Sequence, residues 1–157
     1  MLLITLVKNT QGLLMDEEDF NKYKHVVAWL QPNGYVGLFL RGRKVLLHRA
    51  IMDFPSDDVD HINLIKLDNR KVNLRACSRS QNMANSGARS TNTSGYKGVS
   101  WVEKKNKWRA SIRVNYTSIH IGYYKLKEEA AKAYNLAALK HFGDFAYLNT
   151  IPGDSPK

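Results

Sequence analysis

From Trp108 to Val114 apolar and polar side chains alternate without a break, with Trp108, Ala110, Ile112 and Val114 on one side and Arg109, Ser111 and Arg113 on the other. Strand side chains point to opposite faces in turn, so this stretch is a half-buried strand with a basic outer face. Gly98 to Val102 reads as the strand before it, joined by a turn over Glu103 to Asn106. Asn115-Tyr116 turns the chain into a third strand, in which Ile119, Ile121 and Tyr123 share a face opposite Ser118, His120 and Tyr124. The apolar face needs a cover, and Glu128 to Phe142 supplies it as a helix. Ala130, Tyr134, Ala137 and Ala138 recur at helical spacing, acids lead at Glu128-Glu129, bases trail at Lys140-His141, and Gly143 offers the stop. Alanines at the contact let helix and sheet approach closely.

The first third reads differently. Residues 2–7 and 12–15 predict short strands around a polar turn at residues 9–12, and Asp16-Glu17-Glu18-Asp19 opens a helix to about Tyr23. His25 to Leu30, Tyr35 to Leu40 and Lys44 to Leu47, separated by Pro32-Asn33-Gly34 and Arg41-Gly42-Arg43, form a β-meander. The chain is therefore α+β, and its 157 residues suit two small units better than one large one. Charge divides along the same line. The formal net charge is +10, yet residues 1–58 are neutral, residues 59–90 carry +4 and residues 91–157 carry +6. A polyanionic partner meets the middle and the C-terminal part. The single cysteine, Cys77, rules out an internal disulfide and a zinc ribbon, and reads as a small core residue. No apolar run reaches the length of a membrane span, and the start lacks the basic flank of a signal peptide.

Chemistry concentrates between Val59 and Asn82. Asp60-His61 places an oxygen ligand beside a base that titrates near neutrality, and Asn73 and Asn82 follow at intervals of 12 and 9 residues. Phosphodiester hydrolysis needs a nucleophilic water and a cation on the scissile phosphate. Asp60 and the side-chain carbonyl of Asn82 are hard donors of the kind Mg2+ accepts, and that ion often takes only one or two protein ligands. Neutral His61 can take the proton of the attacking water, while Asn73 can hold the loop or the ring that aims it.

These residues resemble the HNH endonucleases, in the phage and intron-encoded homing branch that reads His-Asn-Asn. The resemblance rests on Leu47-His48-Arg49-Ala50-Ile51-Met52, Val59-Asp60-His61-Ile62-Asn63, Leu67-Asp68-Asn69-Arg70, Asn73-Leu74-Arg75 and Gln81-Asn82. It implies a ββα-metal core in which Asp60 and Asn82 hold Mg2+, with Mn2+ as a substitute, His61 is the general base and Asn73 orients His61 by hydrogen bonding. Arg49 is a candidate contact to the scissile phosphate, and His48 reads as a buried histidine in a connecting helix. Asn69 competes for the role of central asparagine, but Leu67-Asp68-Asn69-Arg70 reads as turn chemistry. Leu64-Ile65 stands where such proteins usually have a glycine-containing turn.

The C-terminal pattern, with Tyr96-Lys97-Gly98-Val99, Trp108 to Arg113 and the alanine-rich helix, resembles the ethylene-response-factor type of DNA-binding domain. The resemblance implies a sheet laid in the major groove, with Lys97, Trp101, Arg109 and Arg113 as contacts. The expected organisation is a scaffold over residues 1–46, a nuclease core over 47–84, a linker over 85–94, a DNA-binding domain over 95–149 and a tail over 150–157. The expected protein is a metal-dependent DNA endonuclease of phage or mobile-element type, acting as a monomer on double-stranded DNA in a bacterial host cytoplasm, with no membrane and no obligate protein partner. The alternative is a non-catalytic DNA-binding regulator on the same platform. An RNA-binding protein is disfavoured by the lack of an aromatic ribonucleoprotein-type strand.

Overall fold

The computed structural model describes residues 2–4 and 12–153. The expected strand over residues 5–7, the turn over 9–11 and the end of the tail lie outside them. The architecture is mixed α and β, with small antiparallel sheets and four α-helices. The chain divides into two compact units, residues 1–79 and 80–157.

In the first unit four antiparallel strands, β1 (Leu2–Ile4), β2 (Ala28–Leu30), β3 (Val36–Leu40) and β4 (Arg43–Leu46), lie in chain order. This is the meander that the turn residues predict. Trp29 crosses over Gly37, where a Cβ would stand 2.5 Å from the indole, so only glycine allows that approach. Helix α1 (Glu17–Tyr23) begins after extended Asp16, and its three leading acids sit at the positive end of the helix dipole. Helix α2 (Leu47–Ile51) leaves directly from β4 and buries Leu47, Ala50 and Ile51 against Val36, Leu38 and Tyr23. The Tyr23 hydroxyl donates to the Ala50 carbonyl at 2.9 Å, which satisfies the polar tip of a buried ring.

A two-stranded ribbon follows, β5 (Asp58–His61) paired with β6 (Leu74–Cys77), and Val59 and Leu74 close the core below it. Residues 12–15 are not a strand of the meander. Leu14 instead makes a parallel bridge to Asp68, with its N–H on the Leu67 carbonyl and its own carbonyl accepting from Asn69, each at 2.8 Å. Asp16 continues this strap by accepting the Lys71 N–H at 2.7 Å. Helix α3 (Arg79–Asn85) comes next.

The second unit holds β7 (Val99–Val102), β8 (Lys107–Val114) and β9 (Thr117–Tyr124) in that order, covered by α4 (Lys127–Phe142). Asn115 and Tyr116 both have positive φ, the conformation that a two-residue hairpin needs. Val99, Ala110, Ile112, Ala130, Ala131, Tyr134 and Ala138 are buried between sheet and helix. Gly98 has φ +76° and lies where a Cβ would meet the Tyr134 ring at 2.1 Å, so the helix can close on the sheet only over glycine.

One face assignment is corrected. Ala110 pairs with Gly122 and Ser111 with His120, which leaves Ile121 as an extra residue in β9. Such a bulge shifts the alternation by one residue. Tyr124 therefore turns onto Trp108 and the core, while Tyr123 joins Arg109 outside, its ring 4.5 Å from that of His120. The segment before β7 is also no bare tether. Asn92 donates to the carbonyls of Tyr96 and Val99 and accepts from Ser94 and Gly95, which ties residues 92–99 into a knot.

Candidate functional site

The β5–β6 ribbon sets the site by register. Asp60 stands opposite Arg75 and His61 opposite Leu74. Arg75 therefore reaches straight across, and its Nε and a terminal nitrogen donate to Oδ2 of Asp60 at 3.0 and 2.8 Å. Asp60 is buried and Arg75 half-buried, and a buried carboxylate needs such a partner.

His61 is 4% exposed and lies in a cluster of rings. The His48 ring packs edge-on against it at 5.0 Å, and Tyr35 stands 5.8 Å away, itself 5.1 Å from His48. Burial pushes the His61 pKa below its ordinary value against the opposing pull of the Asn69 contact and of Asp60 and Asp68. Burial also lowers His48, to about 4, with His61 and Arg49 adding to the shift. Both imidazoles are neutral at pH 7.

The polar partner of His61 is Asn69, whose Oδ1 lies 3.3 Å from Nε2. Asn69 Nδ2 donates to the Lys66 carbonyl, so the amide oxygen faces the imidazole and Nε2 must carry the hydrogen. Nδ1 is left as the basic nitrogen. Asn73, expected to orient the ring, instead organises the loop. Its Nδ2 donates to the Asp68 carbonyl at 2.7 Å, and its Oδ1 accepts the Asn63 N–H at 3.0 Å. The reason is distance along the strands: Asn73 stands just before β6, across from Ile62, whose N–H bonds its carbonyl. Asp68 closes the same loop through Arg70 and Asn63, and the Arg70 hydrogen bonds hold its carboxyl down at about 2. Leu64 takes the left-handed conformation, φ +65°, that a glycine would adopt more easily. The turn forms even so, with the Leu64 N–H on the His61 carbonyl and the Ile65 N–H on Asn63 Oδ1, each at 2.9 Å.

Comparison with known proteins decides which family uses this arrangement. Residues 53–84 match the HNH endonuclease family profile. A protein of Acanthamoeba polyphaga mimivirus named as an uncharacterized HNH endonuclease is 36% identical over 138 residues, which are 83% of this chain and 69% of that protein. The chain belongs to the HNH endonuclease family. It is a nuclease, and the matched region contains Asp60, His61, Asn69, Asn73 and Asn82.

The remaining candidate positions of this HNH endonuclease differ in exposure and in what holds them. Asn82 lies on α3 and is partly exposed. Arg49, a candidate phosphate contact, donates through its two terminal nitrogens to the carbonyls of Pro55 and Asp57, so its guanidinium is spent on bracing the loop before β5. In the second unit Arg109 and Arg113 are exposed on the outer face of β8, as alternation requires. Lys107 shares that face, and Tyr123 and His120 of β9 join it. Trp101 does not. It pairs with Trp108, ring centroids 5.2 Å apart, on the face that α4 covers, and its Nε1 donates to Glu103. Lys97 is also elsewhere, with its ammonium on the main-chain carbonyls of Met83, Ala84 and Ser86.

Of the three partners, Asn69 was a competing candidate set aside as turn chemistry, and Arg75 and Tyr35 were given no role in the site. Asn69 lies eight residues from His61 inside a stretch rich in turn formers, and only the folded loop brings it back. Arg75 was visible in Asn73-Leu74-Arg75, but its role follows from strand register. Tyr35 left no signal, since a tyrosine after Pro-Asn-Gly is ordinary hairpin composition.

Proposed function

We propose that this HNH endonuclease is a metal-dependent DNA endonuclease of homing or mobile-element type, with His61 as general base and Asp60 and Asn82 as the ligands of Mg2+, for which Mn2+ can substitute. The observation that carries the reading is His61 itself, a buried imidazole whose pKa burial lowers, with Nε2 beside Asn69 Oδ1. The donor set fits a hard cation. Asp60 offers a carboxylate and Asn82 an amide oxygen, hard donors of the kind that Mg2+ accepts alongside water and phosphate. When bound, the cation supplies positive charge beside the scissile phosphate and the leaving oxygen.

The chain's own residues do the rest. Arg75 holds Asp60 in place by donating twice to Oδ2. His48 and Tyr35 pack against the His61 ring and restrict its rotation. Nδ1 of His61 receives the proton of the attacking water, and the loop tied by Asn73 fixes where that nitrogen stands.

Double-stranded DNA is the substrate this reading calls for, reached through the outer face of β7, β8 and β9. Support comes from Lys107, Arg109 and Arg113, exposed in one row on β8 without an acid between them, as phosphate contacts call for. Among the described residues no helix is long and apolar enough to cross a membrane.

The test is nicking or linearisation of supercoiled DNA carrying the natural target, with Mg2+, Mn2+ or chelator, by the wild type and by His61→Ala. Metal-dependent cleavage lost in the variant supports the reading. Binding of the target with no cleavage under any metal would leave a DNA-binding regulator in its place.

A further inference from the structure

Helix α3 is seven residues long and has no basic residue in its last turn. A helix this short is marginal by itself, and its last carbonyls lack partners within the helix. Lys97 supplies them from outside. Its Nζ lies 3.2 Å from the Met83 carbonyl and 2.6 Å from the carbonyls of Ala84 and Ser86. An ammonium has three N–H donors, so these acceptors use all of them, and a cation at this end also suits the helix dipole. Burial draws the ammonium out of water and lowers its pKa to about 8. The Tyr147 ring stands 5.6 Å from Nζ, and the Tyr147 N–H donates to the Ala84 carbonyl at 3.2 Å.

The backbone of Lys97 is itself gripped. Its N–H donates to Asn149 Oδ1 at 2.7 Å, and its carbonyl accepts from Asn149 Nδ2 at 3.1 Å. Asn149 is anchored on α4 by a reciprocal pair with Asn135, at 2.8 and 2.9 Å. A continuous set of hydrogen bonds therefore runs from α4 through Asn135, Asn149 and Lys97 to the end of α3.

We propose that Lys97 is a positioning residue for cleavage: by capping the last carbonyls of α3 it fixes the turn that carries Asn82. This rests on the reading of Asn82 as a metal ligand. A lysine spent on three carbonyls is not a phosphate contact, and the two roles separate experimentally.

The experiment uses the full chain as wild type, Lys97→Met and Lys97→Arg. Three quantities are read: amide hydrogen exchange over residues 80–86 without metal, cleavage against Mg2+ concentration, and target affinity against salt in chelator. In Lys97→Met, exchange at residues 83–86 should rise about tenfold while β8 amides stay protected, and the Mg2+ needed for half-maximal cleavage should rise about tenfold or more. The salt slope of binding should not change, and Lys97→Arg should recover part of the cleavage. A salt slope reduced by about one, with exchange unaltered, would make Lys97 a phosphate contact and overturn the proposal. Faster exchange with wild-type cleavage would leave a clamp without a positioning role, which also overturns it. Were the wild type unable to cleave its target, the metal-ligand reading would fail, while exchange would still decide whether the clamp exists.

Discussion

Asn69 Oδ1 stands 3.3 Å from Nε2 of His61, and the Leu14 carbonyl holds the Asn69 N–H at 2.8 Å. The imidazole proposed as the general base is thus oriented by a loop residue that the N-terminal part of the unit straps in place. This gives the first third of the chain a duty in the site: residues 13–16 fix the loop, and the loop fixes the base.

Asn69→Ala should lower the single-turnover cleavage rate at pH 7.5 by about tenfold to a hundredfold, because the ring loses the partner that sets its tautomer and angle. Asn69→Asp should act differently. A carboxylate at this place favours the imidazolium, so the pH at which cleavage switches on should move upward and the rate should recover in alkali. A pH–rate profile indistinguishable from wild type in both variants would remove Asn69 from the role.

Acid should destabilise the protein through His48. Its folded pKa of about 4 lies below the 6.5 of the unfolded chain, because burial penalises the charged ring. The unfolded state therefore binds the proton first as pH falls. Stability from this group is full above pH 6.5 and is lost as pH falls towards 4, up to about 3 kcal/mol. The depressed His61 acts in the same direction. Urea unfolding at several pH values between 4 and 7.5 should show a shallower slope in His48→Phe, which keeps a ring between Tyr35 and His61. Equal slopes in the two proteins would place the acid sensitivity elsewhere.

DNA affinity should separate the two faces of the second unit's sheet. Arg109→Ala and Arg113→Ala should each weaken binding and reduce the salt slope by about one if each meets a phosphate. Trp101→Ala should leave affinity within a few fold, since its ring lies beside Trp108 on the face that α4 covers. Filter binding or anisotropy over a salt series reads both. A large loss for Trp101 with none for the arginines would reverse the assignment of the DNA-facing side.

The elements were legible because their signals are local. Alternation from Trp108 to Val114, acids at the start of α1 and α4, and Gly143 at the stop each act within a few residues, and the structure places the strands and helices close to where these signals fall. The family was legible too: the resemblance read around Asp60-His61, Asn73 and Asn82 falls inside the region that matches the HNH endonuclease profile. The ring partner of His61 was not. Asn73 has the expected position in the chain, but hydrogen bonds reach about 3 Å, and the loop brings Asn69 to that range.

The sequence by itself determined the order of elements, the basic second half and the set of residues that can do nuclease chemistry, because periodicity, capping and composition are properties of short stretches. Only the tertiary structure decided which of those residues meet. One extra residue in β9 exchanged Tyr123 for Tyr124 at the core, strand register gave Asp60 its Arg75, and the fold of the second unit put the Lys97 ammonium on the carbonyls at the end of α3. Each outcome depends on groups far apart in the chain approaching within a few ångströms, and no local pattern encodes that distance.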